Sequence, residues 1–254
     1  MHTTLFSLAV LLPLTSAHGV ITSIKGANGV TMPGLTISST NGRNLFGDTA
    51  VMRDRDITSG RVGPLGRTGN GRAINVANAL STFSASAGGN GNATLPTASA
   101  DGVIELVYRQ INQDGAGPVD AAVDGTSGGT QASAFKTAAV ITNVPGRNGV
   151  SNVSNKDFTV QVQMPAGMQC TATVGGVQNV CIVRVRNAAG GGPFGGSAAF
   201  TLSSAGAGGN GNGNANTANG NGGNNDRGNR ANSQPRDLVG EVKKVVKRAV
   251  EFAA

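Results

Sequence analysis

Few residues in this chain can do chemistry, and His18 is the most informative of them. The chain holds two histidines, His2 and His18. An apolar run over 5–14 is too short to span a membrane as a helix. Pro13 breaks it, and Thr15-Ser16-Ala17 supplies small residues for cleavage. No Lys or Arg precedes the run, yet the pattern reads as a secretory signal peptide over 1–17. Cleavage after Ala17 would make His18 the mature N-terminus. Its α-amine and imidazole could then chelate one copper ion, since both nitrogens suit Cu(II). A second imidazole is missing, because His2 leaves with the leader. Arg109 cannot replace it, since a guanidinium does not ligate copper. The plain alternative is a surface N-terminal histidine.

Other catalytic sets are thinner. Glu105 is the one glutamate in 18–203, with Asp114, Asp120 and Asp124 nearby in sequence. A glycosidase needs two carboxylates flanking the scissile bond. Glu105 more simply balances Arg109 along its strand, or pairs across the sheet. A serine triad lacks its histidine. The Gly-rich segment 125–130 lacks the lysine of a phosphate loop, and no Gly/Asn tract follows a strand and opens a helix.

The two cysteines, Cys170 and Cys181, are equidistant from Gly175-Gly176. A Gly-Gly pair between apolar runs signals a hairpin turn. The cysteines then face each other across the hairpin, within reach of a disulfide. A two-residue turn would put them at the wider, hydrogen-bonded pair. A four-residue loop, 174–177, puts them at the closer pair and is the reading preferred. Two buried free thiols are the alternative. A disulfide agrees with secretion, as do the glycosylation sequons at Asn92 and Asn152.

Strands must position these groups. Val20–Ile24, Gly102–Ile111, Ala134–Thr142, Phe158–Met164 and Ser197–Leu202 are expected strands, Ile104, Leu106 and Tyr108 sharing one face. Ala73–Leu80 is expected to be a short helix with Ile74, Ala77 and Leu80 on one side. Asp54-Arg55-Asp56 reads as a solvated turn inside the Gly- and Arg-rich loops of 41–72. Short alternating strands with Gly-rich connections imply an all-β fold, an antiparallel β-sandwich, immunoglobulin-like in the loose sense, with long Gly-rich loops.

The expected organisation is a leader over 1–17, one domain over 18–203, a disordered Gly/Asn-rich linker over 204–236, and a basic amphipathic helix over 237–254. The linker cannot bury enough apolar surface to order. In the helix, Leu238, Val242, Val245, Val246, Ala249 and Phe252 recur at helical spacing, with Lys243, Lys244, Lys247 and Arg248 largely off that stripe. It suits docking on an anionic surface or membrane interface. The formal charge of +7 is spread along the chain, which has one tyrosine and no tryptophan. Nucleic-acid binding is therefore unsupported.

Several runs resemble the fungal secreted, appressorium-specific virulence-factor family, the Egh-like proteins. They are Gly26-Ala27-Asn28-Gly29-Val30 with Met32-Pro33-Gly34-Leu35, Ile104-Glu105-Leu106 leading to Gln110 through Pro118, Thr126 through Thr130, Gln163 through Cys170, Asn179 through Arg184, and Gly192-Pro193-Phe194-Gly195-Gly196. They cover nearly all of 18–203 and none of the tail. The resemblance implies a secreted, extracellular protein associated with host penetration, with no established catalytic activity or cofactor. Its expected partners are a host surface or cell-wall polysaccharide. Family members carry extra cysteines in the loop matching 41–50, which has none here. Asn112-Gln113-Asp114 and Pro193-Phe194 are the expected exposed interaction residues. The Ala17-His18-Gly19 junction also looks like that of lytic polysaccharide monooxygenases, so a degenerate copper-binding, polysaccharide-active protein is the alternative.

Overall fold

The computed structural model describes residues 18–38, 45–87 and 94–203. The expected leader, linker and C-terminal helix, and the Asn92 sequon, lie outside the described residues.

The elements run β1 Gly19–Lys25, β2 Thr31–Pro33, β3 Ala50–Val51, α1 Asp54–Thr58, β4 Arg67–Thr68, α2 Val76–Ser86, β5 Val103–Gln110, β6 Val119–Asp124, β7 Phe135–Thr142, β8 Lys156–Gln163, β9 Ala172–Val174, β10 Val177–Asn187 and β11 Phe194–Phe200. The fold is antiparallel β with little helix. The strands form one hydrogen-bonded path, β2-β1-β5-β8-β7-β6-β10-β11-β3-β4, and β9 pairs with β10. The path curls through β7. Phe135–Ala138 of β7 pair with β6, whereas Ala139–Thr142 pair with β8. One strand therefore serves both halves of the sheet.

Alternation sets the core. In β5, Ile104, Leu106 and Tyr108 are buried while Glu105, Val107 and Arg109 are only partly so. In β8, Val160 and Val162 are fully buried, and Phe158 is partly buried and packs against the same core. One strand departs from the expectation. β11 starts at Phe194, and all seven of its residues are buried. Its small side chains let the sheet pack on both faces, so no alternation marks it.

Three local expectations change. The helix begins at Val76, because Asn75 Oδ1 accepts the Asn78 N–H at 2.9 Å and caps it. Its buried stripe is Val76, Leu80 and Ser84, and Ala77 is exposed. Asp54-Arg55-Asp56 is helical, and Asp56 is buried beside Arg61 at 3.4 Å rather than solvated. The cysteine hairpin turns on two residues: Val174 pairs with Val177, and Gly175 and Gly176 have φ of 58° and 82°. The four-residue loop is thus corrected. The register then shifts between Val177 and Val180, where Asn179 has φ 57°. That bulge re-aims β10. Cys170 and Cys181 are joined in a disulfide, with Cα atoms 4.9 Å apart.

Candidate functional site

His18 and the two segments expected to hold interaction residues converge at one end of the curled sheet. Tyr108, the last inward side chain but one of β5, starts the construction. It is fully buried, and its hydroxyl donates to Gly115 O at 2.8 Å. Burial pushes its phenol well above the ordinary range, so it stays a neutral donor. Beyond β5 the chain folds back over the start of β1. Ile111 N–H donates to His18 O, and the His18 N–H donates to Asn112 Oδ1 at 2.8 Å. Gly115 packs so closely that a Cβ there would stand 1.9 Å from His18 O. Gln110 adds a second tie: its buried amide donates to Asn112 O and Ser151 Oγ.

The second segment arrives through Asn187, at the end of β10. Asn187 is 3% exposed and is bonded on both faces of its amide. Its Nδ2 donates to Asp114 O at 3.2 Å and Ala116 O at 3.0 Å. Its Oδ1 accepts from Ala189 N–H at 3.3 Å and Phe194 N–H at 3.0 Å. One side chain therefore ties the Asn112–Pro118 turn to the Ala189–Phe194 loop. Arg53 closes the loop from outside by donating to Gly191 O at 3.1 Å. Both segments contain a cis proline, at Gly117-Pro118 and Gly192-Pro193.

The His18 ring lies 5.5 Å from Phe194, stacked, and 4.9 Å from Phe46, edge-on. Phe194 is 6% exposed, so it is the floor beneath His18 and not the exposed contact expected of it. Phe46 takes that part, at 49% exposed. Gln113 is exposed, and His18, Asn112, Asp114 and Pro193 are partly so. The result is a patch with an aromatic face, Phe46 over His18, beside the amides of Asn112 and Gln113.

Phe46 and Asn187 were missed from the sequence. A phenylalanine inside a Gly/Arg/Asn-rich loop is a weak signal for the first. Nothing marks the second, one asparagine among many.

Other candidate groups lie elsewhere. Glu105 pairs with Lys25 at 3.6 Å across β1 and β5, and Arg109 is held bidentately by Asp157 at 2.5 and 3.0 Å. Pairing across the sheet thus replaces the i, i+4 balance along the strand. Asp124 is fully buried and accepts from the N–H groups of Thr126, Ser127 and Gly129 and from the Ser127 hydroxyl. Burial alone would raise its carboxyl; these donors outweigh it and hold the group below the ordinary range. It organises a turn. Asn152 is exposed. Among the described residues no group of three or more His, Cys, Asp or Glu is disposed to hold a metal.

Residues 16–195 match the Egh16-like virulence factor family. The chain is 40% identical over 245 residues to the appressoria-specific virulence factor GAS2 of Pyricularia oryzae, covering 74% of this chain and 84% of that protein. It is 31% identical over 195 residues to the appressoria-specific virulence factor GAS1 of the same organism, covering 76% and 75% respectively. No solved structure matches the chain. The match over most of the described fold, taking in both tied segments almost whole, makes this chain a member of the Egh16-like virulence factor family.

Proposed function

We propose that the chain is a secreted virulence-associated protein that acts at host penetration by gripping a host surface or cell-wall polysaccharide, without catalysing a reaction. The relatives named as appressoria-specific virulence factors support the biological role. The apolar leader and the Cys170–Cys181 disulfide support an extracellular site of action. The exposed Asn152 sequon fits a glycoprotein. Membrane-surface contact by 237–254 remains part of the reading as an accessory anchor.

The observation that carries the binding role is the patch at Phe46, His18, Asn112 and Gln113. A sugar ring has an apolar face and a hydroxyl edge. An exposed aromatic ring suits the face, and neighbouring amides suit the edge. We read the scaffold as a loose immunoglobulin-like sandwich. Its support is that β1 lies close to β11 without pairing with it.

The test is co-sedimentation of secreted protein with insoluble cellulose, chitin and xylan. The wild type is expected to be retained on at least one, and Phe46→Ala to lose at least fivefold of that retention. Equal retention of the two proteins removes the patch reading. A strain lacking the protein should penetrate its host less, and the Phe46→Ala chain should fail to restore penetration.

A further inference from the structure

A second surface, on the outer face of the sheet, is built for a different ligand. β10 alternates: Val183 and Val185 are fully buried on the inner face, while Arg184 and Arg186 share the outer one. Across the ladder, Arg184 stands beside Ala122 of β6 and Arg186 beside Asp120. Ala122 in turn neighbours Thr137 of β7. The small side chain of Ala122 leaves a trough between the arginines and β7. The groove there is about 610 Å³, and Asp120, Phe135, Thr137, Arg184 and Arg186 are among its lining residues. That volume falls within the range of small-ligand sites, about 300–1,000 Å³.

Arg184 is fixed in place. Its guanidinium lies over the Phe135 ring, 4.4 Å from the centroid, and Nη1 donates to Pro64 O at 2.5 Å. A guanidinium carries five N–H donors. Among the described residues Pro64 O is the one acceptor that Arg184 meets. Stacking holds the plane of the fork, so its remaining donors are oriented before any ligand arrives. Arg186 is ion-paired to Asp54, whose carboxylate is 71% exposed. Burial, and then the Arg186 charge, push the Arg184 guanidinium down to about 10, with Asp54 offsetting part of this. The groove thus holds a partly desolvated cation with a second cation beside it.

The acidic groups decide the ligand class. A dianionic phosphate would meet Asp120 and Asp54 at close range. A polyhydroxylated ligand with one carboxylate per unit brings half that charge to the fork and meets correspondingly less repulsion. Its carboxylate takes the Arg184 fork, and its hydroxyls donate to Asp120 and share the Thr137 hydroxyl. We propose that this groove binds an acidic polysaccharide built from uronic-acid units, with Arg184 as the carboxylate receptor. None of Phe46, His18, Asn112 and Gln113 lines this groove.

Isothermal titration of the secreted full-length chain with trigalacturonic acid tests the assignment, with its methyl ester and a neutral hexose trimer as comparators. The acid is expected to bind saturably, and the ester and neutral trimer at least tenfold more weakly. Arg184→Met should weaken the acid at least tenfold, Arg186→Gln should weaken it less, and Phe46→Ala should leave it unchanged. If Arg184→Met does not fold, Arg184→Lys replaces it; it keeps the charge but loses the fork, and a loss of the same sign is expected. Acid and ester binding equally, wild-type affinity in the Arg184 variants, no binding of the acid, or loss of binding in Phe46→Ala would each overturn the proposal.

Discussion

Asn187 is the most economical place to test how the patch is held. The side chain is buried, and four backbone groups depend on it: Asp114 O and Ala116 O as acceptors, Ala189 N–H and Phe194 N–H as donors. Asn187→Ala removes all four partners at once. At a net value of about 1 kcal/mol per bond, the loss is about 4 kcal/mol. For a domain of this size that corresponds to a fall in Tm of roughly 8–16 °C. Asn187→Asp is the sharper probe. It keeps both acceptor bonds but turns a carboxylate oxygen toward two carbonyls, at a cost of about 3 kcal/mol near neutral pH. Protonation restores one donor. The introduced carboxyl therefore has a folded pKa above its unfolded value of about 3.9. Stability tied to the protonated form is present below that unfolded value and is lost as pH rises through the folded one. Measured by denaturant unfolding against wild type at each pH, the Asn187→Asp deficit should be smallest near pH 3–4 and grow toward neutrality. A deficit under 1 kcal/mol for Asn187→Ala, or a pH-independent deficit for Asn187→Asp, would refute the reasoning. Cellulose, chitin and xylan retention should fall with both variants even where they remain folded, since the turn bearing Asn112 and the loop bearing Phe194 are released from each other.

Three further outcomes follow from other groups. Asp124→Asn leaves the buried Gly129 N–H facing an amide donor or none, and should cost about 3 kcal/mol by urea unfolding. Asp124 has a depressed folded pKa, so its contribution is complete above the ordinary value of 3.8 and is lost as pH falls below it; the variant should show a shallower acid-side loss than wild type. Replacing Cys170 and Cys181 by serine should cost about 3 kcal/mol, from the loop-closure entropy returned to the unfolded chain. Copper titration of a chain beginning at His18, beside one carrying an extra residue before it, separates the two readings of that residue: equal weak binding agrees with the non-catalytic reading, whereas tight binding abolished by the extension would favour the degenerate copper protein.

The inner strands were legible because they alternate. Ile104, Leu106 and Tyr108 stand out against Glu105 and Arg109, and Val160 and Val162 against Thr159 and Gln161. The Asn112–Pro118 turn and the Gly192–Gly196 run were also legible as separate segments, though not as neighbours. Their meeting depends on Asn187 and on Tyr108 reaching Gly115, contacts with no local pattern. β11 was half hidden because a strand packed on both faces with Gly, Ser and Ala looks like a linker. The cysteine pairing survived a wrong turn length because both turn lengths are centred on Gly175-Gly176, and the bulge near Asn179 shifts the register by only one residue. Phe46 could be seen in the sequence but not placed, since its partner His18 was read for its nitrogens and not for its ring.

The order in which the strands pair has a further consequence for how the protein is made. β1 finds its partner in β5, and β3 finds its own in β11, the last strand of the domain. Pairings this remote in sequence fold slowly, because the intervening chain must be closed before any contact rewards it. A chain emerging from its N-terminal end holds Gly19–Lys25 without β5 until Gln110 is made, and Ala50–Val51 without β11 until nearly the whole domain is made. The exposed Ile21, Ile24 and Met52 of that interval are then a liability for association. The domain can close only when Phe194–Phe200 has arrived, so a chain truncated before that strand should accumulate as aggregate rather than as a smaller folded unit.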